Sequence, residues 1–480
     1  MEKVRCVSRD GSGISTPFHL IMNVTPRSLA RKTLSALALV LAVAPTTALA
    51  QGSLTPSGVP APTMKTLDQV EARVPIDTAH TPGDAGNLFI ISQPGSYYLT
   101  GNINGVSGKN GIAVLANNVT INFNGFALVG VPGSFSGVSV SGAGVTNLAV
   151  RNGSVRDWPF DGVSAFNAAN SRFKEVETNG NGFWGMRIGL GCTIESCHAF
   201  ANGSASTVTG GFFLRFGSRV INCVVEANTR YGIVTDDGCS VSGCTAEDTV
   251  VGGAGIAQGI VTGNGCSVLA CLARSNAGIG ISLASDCTVS QCASTNNGDT
   301  GISMMDNCIV SFCTSAHNVN NGITARSNCM ITSCSAGFCT ASGIQVSSGC
   351  VISMCTTYQN SQFGIDPTSG PCLISNCSAY QNTLAGVIAP GSCTVRDCSI
   401  VGNGTGIQVN GDANRIEGNN VAGNTPNADV RIIGTISTTG KTVVVRNSYN
   451  NILVTGGTPD IGPQGPAATV TSPWANLKQP

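Results

Sequence analysis

Short runs of alternating apolar and polar residues recur along the chain from about residue 110 onward. In the unit at 280–297, Ile281, Leu283, Cys287 and Val289 alternate with small polar residues. Alternation with a period of two predicts short β-strands with one buried face. Gly, Ser, Asp and Asn between the runs predict turns. Since no helical periodicity of useful length follows residue 50, the pattern predicts an all-β chain.

A glycine followed by an aliphatic or aromatic residue marks each of fourteen repeated units, from Gly111 to Gly406. The interval is 21 residues between Gly259 and Gly364, and it is 23–26 residues between Gly111 and Gly211. A unit of short strands and tight turns without a helix predicts one coil of a solenoid. Its strands would pair in parallel with the neighbouring coils at a spacing of about 4.8 Å. We therefore predict about fourteen coils over residues 111–424.

Two repeat segments carry a resemblance to a known family. GISLASDCTVSQCASTNN (280–297) and NNVTINFNGFALVG (117–130) resemble the repeats of right-handed parallel β-helix proteins, which have the pectate-lyase-like fold. The flanks QPGSYYLTGNI (93–103) and SPWANL (472–477) resemble exported bacterial members of unassigned function. The resemblance implies a single-stranded right-handed parallel β-helix with terminal caps. It does not imply one activity, because the family includes polysaccharide lyases, hydrolases, epimerases, phage tailspikes and adhesins.

The first 50 residues have the features of a secretory signal peptide. Arg27, Arg31 and Lys32 precede the apolar run LSALALVLAVA (34–44), and ALA at 48–50 predicts cleavage after Ala50. Residues before Met22 are interpreted as a start-site extension. The apolar run is too short to span a bilayer, and no later segment approaches the required length. The predicted localisation is secreted or at the cell surface, without a transmembrane segment.

The predicted organisation has four parts. Residues 1–50 are the extension and signal peptide, 51–110 a linker and N-terminal cap, 111–424 the repeats, and 425–480 a C-terminal cap and tail. Residues 51–480 hold 19 basic and 23 acidic side chains, a net charge of about −4 without any Lys/Arg-rich run. Nucleic acid is therefore not an expected partner, because no basic patch is evident to neutralise phosphates.

Cysteine and asparagine recur at fixed positions in the units. Cys287 and Cys292 represent two cysteine columns, and Asn297 represents an asparagine column that Thr249 and Cys339 interrupt. Stacked asparagines can pass amide hydrogen bonds from coil to coil. For the cysteines the favoured interpretation is buried ladders of reduced, soft apolar residues. Several inter-coil disulfides and metal binding are the alternatives.

Residues 151–248 are rich in aromatic and charged side chains, whereas residues 249–400 are sparse in both and suggest a spacer. The longer units upstream predict inserted loops, which commonly carry binding groups. Aromatic rings there could stack on the apolar faces of sugar rings. The candidate substrate-binding residues are Trp158, Asp161, Trp184, Arg187 and Tyr231.

Aligned coils place Arg215 and Asp236 in one column, with Asp237 beside them, and these are the candidate catalytic residues. An arginine could neutralise the carboxylate of a uronate while an acid or base moves the neighbouring proton. The alternative is that the aromatic residues fill a wider core and that Arg215 and Asp236 form a surface salt bridge. No cofactor is predicted. The acidic residues at 236–248 are the densest candidate ligands for calcium, but nothing in the sequence supports a geometry for it.

Three functions follow as hypotheses. The first is an exported polysaccharide-binding or cell-surface module without strong signs of catalysis. The second is an enzyme on acidic glycans, acting as a lyase, epimerase or hydrolase. The third is a structural rod or adhesin. The expected partner is a polysaccharide or cell-surface glycan.

Overall fold

The fold is described from a computed structural model of the chain. The structure describes residues 72–142, 144–204, 208–252, 255, 257–433, 441–455, 459–466, 472 and 475–478. The predicted signal peptide, its cleavage site and the start-site extension lie outside these residues. Within the described residues, no helix is long and apolar enough to cross a membrane.

Each coil contributes three short strands, and corresponding strands of successive coils pair in parallel. The pairs are in register: Ile281 lies beside Ile302 in one sheet, and Thr288 lies beside Ile309 in the next. We name the three stacks sheet 1, sheet 2 and sheet 3, in the order in which the chain visits them within a coil. The all-β parallel solenoid predicted from the sequence is confirmed.

Sheet 1 consists of Asn87–Ile91, Asn110–Val114, Val138–Val140, Val145–Thr146, Val163–Ala169, Trp184–Leu190, Gly210–Leu214, Tyr231–Thr235, Gln258–Thr262, Ile281–Leu283, Ile302–Met304, Ile323–Ala325, Ile344–Val346, Ile365–Pro367, Ala385–Ala389, Thr405–Val409, Val430–Ile432 and Ile452–Val454.

Sheet 2 consists of Val74–Pro75, Gly95–Tyr98, Val119–Asn122, the first half of Ala149–Arg156, the first half of Arg172–Asn179, Thr193–Glu195, Arg219–Ile221, Ser240–Ser242, Ser267–Leu269, Thr288–Ser290, Ile309–Ser311, Met330–Thr332, Val351–Ser353, Leu373–Ser375, Thr394–Arg396, Arg415–Glu417, Val443–Val445 and Asp460–Ile461.

Sheet 3 consists of Ile103–Asn104, Ala127–Val129, the second halves of Ala149–Arg156 and Arg172–Asn179, His198–Phe200, Val224–Glu226, Thr245–Glu247, Leu272–Arg274, Ala293–Thr295, Thr314–Ala316, Ser335–Gly337, Thr356–Tyr358, Ser378–Tyr380, Ser399–Val401, Asn420–Ala422, Ser448–Tyr449, Asn476–Lys478 and Gln464–Pro466, which pairs with Asn476–Lys478.

The solenoid has about 18 turns, more than the fourteen that the sequence predicts. The additional coils lack the glycine that marks the others. In the parallel register, Leu88 stands at this position before Gly111, and Asp429 and Asn451 stand there after Gly406. Counting by the glycine therefore misses coils at both ends, although their strands pair like the rest.

The coils turn at three corners that share a two-residue design. A residue with positive φ comes first, and a residue with a buried side chain follows. Asp286 (φ 62°) precedes Cys287, and Asn296 (φ 56°) precedes Asn297. Asp and Asn tolerate this left-handed conformation because their short polar side chains can bond to the local backbone. This repeated turn keeps every coil in register with the next.

The asparagine column forms a hydrogen-bonded ladder, as predicted. Asn276 donates its backbone N–H and its Nδ2 to Oδ1 of Asn297, at 3.1 and 3.0 Å. Asn297 repeats both bonds to Asn318, each at 3.0 Å, and its Nδ2 also donates to the carbonyl of Ala273. All these groups are buried, so the ladder satisfies amides that would otherwise be stranded inside the corner.

The cysteine columns are buried stacks with a hydrogen-bonding role. The backbone N–H of Cys271 lies 3.4 Å from Sγ of Cys292 on the next coil. That thiol in turn donates to the carbonyl of Ser290 at 3.2 Å. The twenty cysteines of the described residues are buried and are free thiols in the structure. The predicted buried cysteine ladders are confirmed, and their sulfur atoms also form hydrogen bonds with backbone groups at the corners.

Other polar residues occupy the same corners where cysteine is absent. Cys398 donates its N–H to Oδ1 of Asn419 at 3.0 Å, and Cys192 donates its N–H to Oγ of Ser218 at 3.1 Å. Cys339 stands within the asparagine column and donates its N–H to Asn360 Oδ1 at 3.0 Å. Thiol, amide and hydroxyl side chains are thus interchangeable in these ladders.

The core fills the space between the three sheets with inward-facing apolar side chains. In the regular coils these are mostly Ile, Val and Cys, whereas the upstream coils also bury Trp158, Phe173 and Phe212. The alternative prediction that aromatic residues fill a wider core is therefore correct for these three.

Candidate functional site

Sheet 1 has a regular outward-facing column in the coils between residues 160 and 240. Ser164, Arg187, Phe213 and Val234 lie side by side in the parallel register. Their neighbours along each strand point into the core, as Met186 and Ile188 do around Arg187. Strand alternation therefore places Arg187 and Phe213 on the solvent side of adjacent coils.

Four aromatic rings meet on this outer face. The centroid of Phe213 lies 5.5 Å from that of Trp184 and 6.2 Å from that of Phe166. Trp184 also stacks on Tyr231, with centroids 6.3 Å apart and ring planes 15° apart. Gly210 lies between these two residues in the register, and its lack of a side chain leaves room for the Trp184 ring.

Two guanidinium groups join the rings. Cζ of Arg215 lies 4.6 Å from the centroid of Phe166, and Cζ of Arg187 lies 5.4 Å from it. We call Phe166, Trp184, Arg187, Phe213, Arg215 and Tyr231 the aromatic–arginine surface. Guanidinium groups pack well on aromatic faces and keep their N–H groups for other acceptors.

A buried carboxylate orients one of these arginines. Nη2 of Arg187 lies 2.9 Å from Oδ2 of Asp161 and 3.3 Å from Oγ of Ser164. Oδ1 of Asp161 accepts the backbone N–H of Trp184 at 3.2 Å. Burial raises the pKa of Asp161, although the nearby Arg187 opposes this rise. Asp161 is therefore a positioning residue beneath the surface and is not exposed to a ligand.

Two arginine nitrogens at this site are buried and have no hydrogen-bond partner within the described residues. They are Nε of Arg187 and Nε of Arg230, whose guanidinium also lies 5.9 Å from the ring of Tyr231. Buried polar groups in proteins are nearly always satisfied, so an unsatisfied donor calls for an explanation. Both guanidinium groups pack against aromatic rings of this surface, Arg187 on Phe166 and Arg230 on Tyr231.

The predicted catalytic residues Arg215 and Asp236 directly follow Leu214 and Thr235, which pair in register on adjacent coils. Among the described residues, no ion pair within 4.0 Å joins Arg215 to Asp236, and the Arg215 guanidinium packs on the Phe166 ring. Burial raises the pKa of Asp236, with Arg215 opposing and Asp237 adding to the rise. Oδ1 of Asp237 accepts the N–H of Asn264 at 2.6 Å and so secures the turn of the next coil.

The five predicted binding residues divide by burial. Arg187 and Tyr231 are partly exposed on the surface, and Asp161 supports it from below. Trp184 belongs to the cluster but is only 4% exposed, so Phe213 and Tyr231 present most of the accessible ring area. Trp158 is a correction: its indole is buried in the core and donates Nε1–H to the Leu128 carbonyl at 3.2 Å.

No group of three or more metal-ligating side chains converges anywhere in the described part of the chain. Of the acidic candidate ligands for calcium, Asp237 bonds to Asn264 and Glu247 pairs with Arg274. These contacts give the two carboxylates structural partners.

Phe166 and Phe213 are members of the surface that the sequence pattern alone did not single out. Phe213 directly follows the Gly211-Phe212 marker, so strand alternation alone would have assigned it to the outer face. A second aromatic row lies in the coils interpreted as a spacer and consists of His317, Phe338, Tyr358 and Tyr380. Its members are about 20 residues apart, and only the coil register reveals that they touch.

The sequence repeats match a known family model. Residues 254–392 and 322–458 match the model described as the right handed beta helix region. The chain has the right-handed parallel β-helix fold. No curated protein sequence matches it.

Several solved structures are similar to this β-helix protein at low identity. The Azotobacter vinelandii mannuronan C-5 epimerase AlgE4 A-module is 11% identical, with 80% of this chain and 91% of that chain covered and a TM-score of 0.32. A tailspike mutant of E. coli bacteriophage HK620 in complex with a hexasaccharide is 13% identical, with 68% and 69% covered and a TM-score of 0.44. A mutant of the periplasmic alginate epimerase AlgG is 12% identical, with 82% and 84% covered and a TM-score of 0.32. These likenesses carry no inference about activity or ligand.

Proposed function

We propose that this β-helix protein binds a polysaccharide through the aromatic–arginine surface. The observation that carries the proposal is a continuous cluster on the outer face of sheet 1, in which Phe213 contacts Phe166 and Trp184 and two arginines pack on Phe166. Aromatic rings offer flat apolar faces to the apolar faces of sugars. Guanidinium groups beside them can donate to hydroxyl or carboxylate oxygens.

The arrangement favours binding over turnover. Asp161 pairs with Arg187, and Asp237 accepts a hydrogen bond from the N–H of Asn264. Asp236 is the one carboxylate of the predicted set without such a partner. General acid–base chemistry on a glycan usually needs a second positioned group. The signal-peptide features of residues 1–50 support the proposal that the protein works as an exported or cell-surface module.

The test is retention of the protein on immobilised acidic and neutral polysaccharides, with product formation measured in the same samples. Phe213→Ala and Tyr231→Ala should each weaken retention by about tenfold, because each removes an exposed ring from the surface. Tyr380→Ala is the matched control, since Tyr380 is an exposed ring on sheet 3. Equal retention of all variants would contradict the proposal.

The other functions remain outcomes of the same experiment. Product formation that Asp236→Ala or Arg215→Ala abolishes would support an enzyme acting on acidic glycans. Neither retention nor product on any polysaccharide would support a structural rod or adhesin.

A further inference from the structure

A groove crosses the outer face of sheet 2, away from the aromatic–arginine surface. Its volume is about 460 Å³, and it is lined by Ser96, Thr120, Ala149, Val150, Arg151, Arg172 and Lys174. Ser96, Thr120, Ala149 and Arg172 follow one another in the parallel register on successive coils. Ala149 has only a methyl group and lies between Thr120 and the longer Arg172 in the register, so it forms the floor of the groove.

Basic side chains form those walls. Arg151 is exposed and makes no ion pair within the described residues, and it lies beside Lys174 in the register. Arg172 is 65% exposed and reaches Glu195 only at 3.6 Å. Lys174 lies 3.2 Å from Glu195 on the next coil and 3.7 Å from Glu175, its neighbour along the same strand. The positive charge of Arg151 on the upstream side is not balanced.

The upstream neighbours add hydroxyl donors. The hydroxyl groups of Ser96 and Thr120 line the groove beside the arginines. Two residues further along these strands, Tyr98 and Asn122 precede Arg151 in the parallel register. Cζ of Arg73 lies 4.7 Å from the centroid of the Tyr98 ring. A chain with a net charge of about −4 over residues 51–480 thus concentrates basic groups at one concave place.

We propose that this basic groove binds an anionic group, a carboxylate or a sulfate. Planar guanidinium groups bind such oxyanions through paired N–H donors, and the two hydroxyls can complete the shell. The anion could be a free ion or a group carried by a saccharide chain, and the chemistry of recognition is the same. This site does not depend on the aromatic–arginine surface, which lies on a different sheet.

The experiment is a calorimetric titration of the mature protein with sodium sulfate, with polygalacturonate, and with dextran as the neutral polymer. Arg151→Gln and Arg172→Ala should each weaken binding of the anionic titrants by about tenfold, because each removes a charge-assisted hydrogen-bond donor. Arg219→Ala is the matched control. Arg219 is exposed in the same outward column, two coils beyond Arg172, and it lies outside the groove.

The arms of the experiment separate the sources of the anion. If polygalacturonate binds much more tightly than sulfate, and Arg151→Gln loses this binding, the result supports an anionic group carried by a polymer. If sulfate and polygalacturonate bind equally tightly, and Arg151→Gln loses binding of both, the result supports a free anion. Higher salt should weaken either interaction, since exposed charges are screened. Unchanged circular dichroism and thermal unfolding of the variants would establish that they fold.

The proposal is overturned if neither anionic titrant binds, or if Arg151→Gln and Arg172→Ala bind as Arg219→Ala does. It is also overturned if polygalacturonate binding is lost in Tyr231→Ala and kept in both groove variants. That last result would leave the proposed function of the aromatic–arginine surface intact. If polygalacturonate binding is lost only in the groove variants, the groove is supported and the aromatic–arginine surface is not.

Discussion

Trp184 and Tyr231 stack across Gly210, with ring planes 15° apart, although they are separated by two coil steps. A Cβ atom at Gly210 would lie 2.9 Å from the Trp184 ring and closer still to the carbonyl oxygen of Tyr231. The glycine is therefore a requirement of the surface, because the indole occupies the space that a side chain would take.

Gly210→Ala should displace Trp184 and destabilise the protein by about 1–3 kcal/mol, the usual cost of overpacking. Urea unfolding measures the loss, and fluorescence of Trp184 measures the displacement against a Trp184→Phe baseline. Gly101→Ala is the control, since a Cβ there would meet nothing within 4 Å. An unchanged unfolding midpoint for Gly210→Ala would refute the stacking geometry.

Asn297→Ala should break the asparagine ladder in its regular part. Asn276 would lose the acceptor of its backbone N–H and Nδ2, and the carbonyl of Ala273 would lose a donor. Because three buried groups each lose a hydrogen-bond partner, we expect a loss of about 3 kcal/mol in unfolding free energy. Asn320→Ala, which removes only an exposed bond to Asp299, should change it by less than about 0.5 kcal/mol.

The cysteines should titrate as free thiols when the mature protein is unfolded without reductant. Side chains stacked in register have parallel Cα–Cβ vectors about 4.8 Å apart, whereas a disulfide needs Cβ atoms about 3.8 Å apart and facing each other. All twenty should react with a thiol reagent in denaturant, and few should react in the folded protein, where they are buried. If fewer than half react in denaturant, inter-coil disulfides replace the ladder interpretation.

Alkaline pH should destabilise the fold through the same thiols. Burial raises the pKa of Cys192 and of Cys339 above the ordinary value of 9.0. The unfolded chain then ionises first as the pH rises, so the stabilising contribution is complete below about pH 8.5 and declines above it. The urea midpoint should fall between about pH 7 and pH 10.

A double variant checks the origin of that pH dependence. Cys192→Ser/Cys339→Asn places in each column a residue that other coils already use there, Ser218 and Asn360. Its midpoint should fall less steeply with pH than that of the natural chain. An equal slope would show that other groups, and not these thiols, control the alkaline loss.

The course of one coil could be predicted from the sequence, and the number of coils could not. Alternation around Ile281 and Val289 places strands, and the spacing of Cys287, Cys292 and Asn297 places corners, because each signal repeats with the coil. The terminal coils could not be predicted from these repeated signals. Their strands are held by pairing with a neighbour, and pairing does not require the glycine marker.

The candidate site was predictable as a region and only partly as a set of residues. Arg187 and Tyr231 lie on the surface as expected, since the aromatic and charged content of their segment can be read from the sequence alone. Trp158 is buried instead, because the upstream coils need large side chains to fill their core.

The sequence by itself determined the coil: its strands, its corners and the ladders that hold successive corners together. These follow from local alternation and from a period that sets the parallel register. Only the tertiary structure decided that Arg215 lies over Phe166, and that Arg151 and Arg172 border one groove. The physical reason is that these contacts join side chains on different coils, where direction, neighbouring size and burial decide which atoms meet.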